Sequence, residues 1–223
     1  MKNLATLCLA LLLGVACTAD EPRHMATGIK IGEVTATEAI VWVRLTRNAE
    51  RVDFGAPMPQ ISYTLAGTGE PLAEVRSRQR DAVPAVAFPD GSSIDTIEGA
   101  VPGAAGSARV HYGPSGSESV AVSDWQDVDP DADFTTQFRL SDLVPGTQYD
   151  IRVEYGAIRN SNLSTLDGTF RTAPAAADAR PVTFTVTTGQ RYPNRDSERG
   201  WKIYDEMLKL CLLYTSDAAD DAM

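Results

Sequence analysis

The most restrictive feature of this sequence is the strict alternation over residues 149–155. Apolar and charged side chains take turns there: Tyr149, Asp150, Ile151, Arg152, Val153, Glu154 and Tyr155. Successive side chains of a strand point to opposite faces, so this period predicts a strand with one face in a core and the other in water. Antiparallel sheets packed on one face carry such strands. The chain is therefore expected to contain a layered antiparallel β structure.

Three further segments read as strands. Residues 39–45 are β-branched and aromatic without Gly or Pro, which is typical of a largely buried strand. Residues 109–112 form a short strand that a turn at Gly113 and Pro114 ends, and residues 168–172 form a last strand that Pro174 stops. The fold class is predicted to be mainly β.

The segment between residues 54 and 106 interrupts this pattern. It contains six prolines and seven glycines around short apolar pieces. A structureless loop of this length is uncommon in a compact domain, so we expect an insertion with one or two small strands of its own.

The pattern changes after residue 173. Residues 174–180 are rich in Ala, Pro and Asp and predict a linker. Residues 181–188 then predict a strand, and Ser197 is expected to cap a helix whose stripe includes Trp201 and Tyr204. A strand followed by a helix after an all-β domain is typical of the start of an α/β domain, here cut short at residue 210.

The N-terminus predicts export. Lys2 precedes an apolar run of twelve residues, 4–15, which is shorter than the about 20 residues of a spanning helix and matches a signal peptide over residues 1–19. Two outcomes stay open: lipidation of Cys17 in a bacterial lipobox, or ordinary cleavage after Ala19. The expected location is periplasmic, outer-membrane-anchored or extracellular. Only Cys211 follows the leader, so the core alone must hold the fold.

The charge of the chain excludes one class of partner. The formal net charge is −10, which repels phosphate backbones and anionic lipid surfaces. We expect no nucleic-acid partner.

Two features invite a site interpretation on residue type alone. The acidic run over residues 124–133 begins like a calcium loop, but Ala132 and Phe138 stand where such a loop needs Gly and Glu, so a solvated loop is favoured. His111 lies on a predicted strand, where a satisfied histidine on a strand face is favoured over a metal ligand.

Residues 143–149, with the sequence LVPGTQY, resemble the corner of a fibronectin type III sandwich. In that fold the tyrosine, here Tyr149, bonds back to the preceding loop, here Pro145 and Gly146. The resemblance implies an immunoglobulin-like or fibronectin-like β-sandwich over residues 26–173.

The order of motifs is similar to the N-terminal part of the alkaline phosphatase D family. The motifs are residues 28–35, residues 39–45, Phe134-Thr135, the corner, residues 170–174 and residues 182–190. The resemblance implies a secreted phosphoesterase whose calcium or iron ions act on a small phosphoester.

The site residues implied by this resemblance are few. Gly189 occupies the position of a cysteine ligand of that family and has no side chain to coordinate a metal. Gln190, Arg191 and Tyr192 follow the strand at its C-terminal end, where α/β sheets place their ligands, and are the substrate-binding candidates. The alternative for these residues is a plain connecting loop. The metal-ligating histidine motifs of the family would lie beyond residue 210.

Residues 211–223 resemble translated sequencing adapter and are interpreted as a non-native tail. The chain is thus expected to be the non-catalytic N-terminal fragment of an exported phosphoesterase, whose partner is the missing catalytic domain. The alternative is an exported, lipid-anchored fibronectin-like module that binds a partner and has no catalysis.

Overall fold

The architecture was described from a computed structural model. The structure describes residues 21–72, 81–179, 181, 186–188, 190–198, 200–209 and 214–216. The signal peptide, Cys17, Gly189 and residues 182–185 of the strand predicted for residues 181–188 lie outside the described residues. Residues 181 and 186–188 are described and are not in a strand. The part of the chain that is described contains no helix long and apolar enough to cross a membrane.

Two antiparallel sheets form the sandwich. The smaller sheet has the order β1 (Lys30–Gly32), β2 (Ala39–Arg44) and β9 (Thr135–Leu140). The larger sheet contains β6, β7, β8, β10, β11 and β12, with bounds Ser107–Pro114, Ala121–Val122, Gln126–Asp127, Gln148–Gly156, Ser164–Arg171 and Tyr214–Ser216. Its order is β12-β11-β10-β6-β7, and β8 also pairs with β6. The chain is mainly β, as an immunoglobulin-like or fibronectin-like sandwich requires.

The core lies between the inner faces of these sheets. Val41, Val43 and Phe138 contribute from the smaller sheet, and Val153 and Phe170 contribute from the larger one. All are buried because their strands alternate, and burying their apolar surface is the main force that stabilises the fold. The alternation over 149–155 lies on β10, whose odd-numbered residues face this core.

The corner joins β9 to β10. The backbone N–H of Val144 donates a hydrogen bond to the hydroxyl of Tyr149 at 2.9 Å, and the Tyr149 ring stacks on Phe170 with centroids 5.4 Å apart. Gly146 has a φ of +63°, a backbone conformation that glycine adopts without a steric penalty. This is the geometry of a tyrosine corner, which holds a polar hydroxyl at the edge of an apolar core.

Several boundaries differ from the sequence-based expectations. β6 continues through Gly113 and Pro114, and the turn begins at Ser115. The helix α1 spans Ile203–Lys209, and Ser197 instead exchanges backbone hydrogen bonds with Gly200. Gly200 has a φ of +130°, which is incompatible with a helix, so α1 begins only after it.

The insertion contains a sheet of three strands where one or two were expected. These strands are β3 (Gln60–Leu65), β4 (Pro71–Leu72) and β5 (Ala82–Ala87), in the order β4-β3-β5. The insertion connects the end of β2 to the start of β6. Because Ser107 at the start of β6 pairs with Gly156 at the end of β10, the insertion lies at the end of the sandwich opposite the corner.

The strand β12 belongs to the segment interpreted as a non-native tail. Its residues pair with Gly168–Phe170 of β11, which would otherwise be the edge of the larger sheet. An open edge offers unpaired backbone groups to any extended segment. This pairing would therefore form whether or not the tail is native.

Candidate interaction site

A buried ion pair joins the insertion to the chain that follows the linker. The guanidinium of Arg195 donates to Glu98 Oε1 at 2.8 Å, and the side chains are only 11% and 8% exposed. The hydroxyl of Tyr192 donates to the same oxygen at 2.8 Å, and the N–H of Gly55 donates to Glu98 Oε2 at 2.9 Å. Both carboxylate oxygens therefore have donors, which a buried charge requires.

Aromatic rings enclose the cation of this pair. The Arg195 guanidinium lies 4.6 Å from the ring centroid of Phe54 and 4.4 Å from that of Tyr192. Such cation–π contacts add to the ion pair, while Phe54 itself remains 56% exposed. A Cβ on Gly99 would lie 3.3 Å from the Tyr192 hydroxyl, so the glycine permits the close approach of this ring. We call Phe54, Glu98, Tyr192 and Arg195 the Glu98 cluster.

The cluster and the start of the linker lie at opposite ends of the sandwich. The linker leaves β11 at the corner end, where the N–H groups of Thr172 and Ala173 donate to Thr147 and Thr35 at 3.0 Å each. Tyr192 and Arg195, in contrast, contact the insertion at the other end. The chain is thus held to the sandwich at residues 172–173 and to the insertion at Tyr192 and Arg195.

The contacts shift the pKa values of the cluster. The hydrogen bonds from Gly55 and Tyr192, together with the charge of Arg195, lower the pKa of Glu98 below its ordinary 4.5 although burial opposes ionisation. Burial, and next the hydrogen bond to Glu98, raises the pKa of Tyr192 above its ordinary 10.0. The cluster thus holds Glu98 ionised and Tyr192 neutral over a wide pH range.

The sign of these shifts predicts how pH affects the cluster. A lowered pKa means that the contribution of Glu98 to stability is present above pH 4.5 and is lost as pH falls through its folded pKa. The amide proton of Gly55 reports this carboxylate directly. In an NMR titration we expect its resonance to shift with a midpoint below 4.5, and Glu98→Gln to abolish that shift. A midpoint at or above 4.5 would contradict the described contacts.

The substrate-binding candidates separate in the structure. Gln190 and Arg191 are exposed, whereas Tyr192 is half-buried in the cluster and bonds to Glu98. Because the Tyr192 hydroxyl already donates to Glu98, a ligand could bind it only by breaking this hydrogen bond. Glu98, Arg195 and Phe54 carry no sequence signal of this role, since each lies in an irregular segment where neither spacing nor periodicity marks it.

The acidic run is not a solvated loop throughout. Asp127 accepts from the Ser107 hydroxyl at 2.6 Å and from Arg159 at 2.7 Å, and Asp133 accepts two bonds from Arg44 at 2.9 Å. These hydrogen bonds lower the pKa of both carboxyl groups. The carboxylates hold loop segments to the sandwich, because arginine provides the paired donors that a carboxylate fits.

An open trough of about 770 Å³ lies on the outer face of β6, β10 and β11. Charged groups that line it form cross-strand pairs: Arg152 donates to Asp167 at 2.6 Å, and His111 contacts Glu154 at 3.3 Å. Arg109, which is outside this lining, also donates to Glu154 at 2.5 Å. Burial opposes ionisation of Glu154, but the bonds from Arg109 and His111 prevail and lower its pKa. His111 is thus a satisfied residue of the strand face.

The metal ions implied by the family resemblance do not fit the residues described. Gly189, at the cysteine position, has no side chain. Within the described ranges, no group of three or more His, Cys, Asp or Glu side chains could hold a metal ion.

Comparisons with known proteins give weak similarities of fold. No protein-family model and no curated protein matches the chain. Among solved structures, it is similar to the structure of PhoD, with 13% identity and a TM-score of 0.39 over 73% of this chain. It is also similar to the sensor domain of the anti-sigma factor RsgI4 of Pseudobacteroides cellulosolvens, with 15% identity and a TM-score of 0.34 over 70% of this chain and 99% of that one.

A third similarity is to a computationally redesigned β-sandwich, with 14% identity and a TM-score of 0.32 over 66% of this chain and 92% of that one. The match to PhoD spans only 21% of the PhoD chain. At this level of identity and superposition, none of the three carries an argument about function.

Proposed function

We propose that this chain is the non-catalytic, exported N-terminal part of a bacterial metal-dependent phosphoesterase similar to the alkaline phosphatase D family. In this proposal the sandwich and its insertion hold the beginning of the catalytic domain in a fixed position. The catalytic domain is the principal partner, and a small phosphoester is the substrate of the whole protein.

The observation that carries the positioning role is the Glu98–Arg195 pair. A flexible linker would leave the segment after residue 180 free to move relative to the sandwich. The buried pair instead anchors that segment, and Arg51 adds a hydrogen bond to the Glu198 carbonyl at 2.5 Å. Fixing a segment in this way costs conformational entropy. We therefore expect it where the protein needs a defined orientation of the domain that follows.

The phosphoesterase class rests on the motif order in the sequence. The fibronectin-like corner, the end of β11 and the segment that includes Gln190 occur in the order of that family. The calcium and iron ions, the substrate and the export of the whole protein are part of the proposal.

A second candidate function is an interaction module without catalysis. The trough on the outer sheet face favours it, because cross-strand pairs such as Arg152 with Asp167 present an ordered polar surface to a partner. In this alternative a lipid on Cys17 would attach the module to a membrane. Enzymatic turnover by the longer protein separates the two candidates.

The test is to extend the coding sequence from its source DNA beyond the codon for Leu210 and to assay the longer product. We expect the longer protein to hydrolyse p-nitrophenyl phosphate when calcium and iron are supplied and to lose turnover with a chelator. The present chain should show none under the same conditions. A longer frame that encodes no metal-ligating motifs and has no turnover would favour the interaction module.

A further inference from the structure

We propose that the outer edge of β11 is a binding site for an extended peptide segment of a partner protein, which adds to the larger sheet as a further strand. We call residues 168–170 of β11 the acceptor edge. In the structure β12 occupies this edge in antiparallel register, with Thr169 opposite Thr215. β12 therefore shows how a peptide ligand would lie there.

The identity of the occupying segment indicates what the acceptor edge recognises. β12 lies in the segment interpreted as a non-native tail, so its sequence was not selected to fit β11. A strand that adds to a sheet edge binds through hydrogen bonds of its main chain, which every extended peptide can form. The acceptor edge is thus expected to recognise an extended backbone before it recognises a particular sequence.

The acceptor edge lacks the features that normally protect an edge strand. Natural sheets keep edge strands short or place proline and charged residues in them. β1, β4 and β7 have only two or three residues each, and β5 contains Pro84. β11, in contrast, has eight residues and no proline, and residues 168–170 carry no charge. It is the longest edge strand in the described part of the chain once β12 is set aside.

The two sides of β11 set the side-chain preference of the ligand. Phe170 is fully buried and faces the core, as does Gly168, whereas Thr169 lies on the outer face beside the trough. Residues paired across neighbouring strands point to the same side of a sheet. A ligand residue opposite Phe170 would therefore lie along the rim of the core, and the ligand residue opposite Thr169 would point outward.

The charges around the acceptor edge favour an uncharged ligand. Asp167 precedes the edge and accepts from Arg152, and Arg171 follows it and donates to the Gly146 carbonyl. These contacts engage both flanking charges, so a charged ligand residue would gain little there. The net charge of −10 repels acidic peptides in addition. The ligand is thus an extended segment that is uncharged over its paired residues. This surface belongs to the sandwich and does not depend on the phosphoesterase assignment.

The first step of the test opens the acceptor edge in the full chain. Consecutive N–H groups of a strand point to opposite edges, so Tyr214→Pro combined with Thr215→Pro removes one donor from the ladder in either case. We expect hydrogen exchange of the acceptor-edge amides that bond to β12 to accelerate at least about tenfold, with β10 unchanged. Ala218→Pro combined with Ala219→Pro makes the same chemical change beyond β12 and should leave this exchange as it is.

The second step adds the ligand in trans. The probe is a peptide with the sequence of residues 212–217 and blocked ends, titrated by NMR into the variant with prolines at 214 and 215. We expect saturable shifts centred on the acceptor-edge amides, with a Kd between about 0.1 and 10 mM. In the parent chain β12 competes at a high effective concentration, so the peptide should bind at least about tenfold more weakly.

Modified peptides identify the mode of binding. Methylation of the backbone nitrogens at positions 214 and 215 of the peptide should abolish binding, because it removes the donors of the ladder. Glutamine at position 214, opposite Phe170, should weaken binding at least severalfold, since it places an amide at the rim of the core. The matched change at position 215, opposite Thr169, should have little effect.

Unchanged exchange at the acceptor edge in the variant with prolines at 214 and 215 would overturn the proposal. So would the absence of saturable binding to that variant, or equal affinity for it and for the parent chain, since the peptide would then bind elsewhere. Binding of the methylated peptide with undiminished affinity would also contradict strand addition.

Discussion

Replacing Phe170 with alanine should destabilise the sandwich strongly. Phe170 is fully buried in the core between the two sheets, and its ring stacks on Tyr149, its partner on the neighbouring strand β10. Large-to-small changes of a buried phenylalanine cost about 3–5 kcal/mol, through lost burial and the cavity that remains. Since whole domains are stable by only about 5–15 kcal/mol, this is a large fraction of the total.

Thermal unfolding of the purified chain measures the effect. For a domain of this size, we expect Phe170→Ala to lower the Tm by between about 6 and 20 °C. Thr165→Ala, an exposed position on the same strand, should change stability by no more than about 0.5 kcal/mol. Phe170→Leu retains much of the side-chain volume, so its Tm should lie between those of Phe170→Ala and Thr165→Ala. Equal Tm values for Phe170→Ala and Thr165→Ala would mean that β11 does not contribute to the core as described.

The strands of the sandwich could be predicted because their signals are local. The alternation over residues 149–155 depends only on the two faces of a strand, and β10 has this alternation. A short contiguous motif predicted the corner, and its hydrogen bond joins Val144 and Tyr149, which are only five positions apart. Features of this kind can be recognised from neighbouring residues alone.

The Glu98 cluster could not be predicted, because its members are distant in sequence. Arg195 and Glu98 are separated by 97 residues, and Phe54 lies a further 44 residues before Glu98. Each stands in an irregular segment without a period, so pairing them requires knowledge of how the insertion and the linker fold back. The same reason explains why the ion pair of Asp133 could not be predicted. No residue near Asp133 indicates that Arg44, 89 residues earlier, will neutralise it.

Replacing Glu98 with glutamine should release the chain after the linker while leaving the sandwich folded. The variant keeps the shape of the side chain but removes the charge that holds Arg195 and accepts from Tyr192. Arg195 would then remain buried beside the Phe54 ring without an anion, which favours exposure of the whole segment to water. The effect should be local because the core of the sandwich contributes no residue to the cluster.

Matched variants identify the source of this effect. Glu118→Gln makes the same chemical change at an exposed position and should change nothing. Arg195→Gln should reproduce the effect of Glu98→Gln. The double variant should not exceed either single variant by much, because both remove one interaction.

The most direct measurement of the central claim is hydrogen exchange at the amides of Asn194 and Ser197, whose hydrogen bonds close the turns on either side of Arg195. We expect exchange at these amides to be protected in the parent chain. In Glu98→Gln it should accelerate at least about tenfold, since charge-assisted hydrogen bonds are lost, with no change at the core amides of β10. Unprotected exchange in the parent chain, or equal rates in Glu98→Gln, would contradict the claim that the Glu98 cluster anchors this segment to the sandwich.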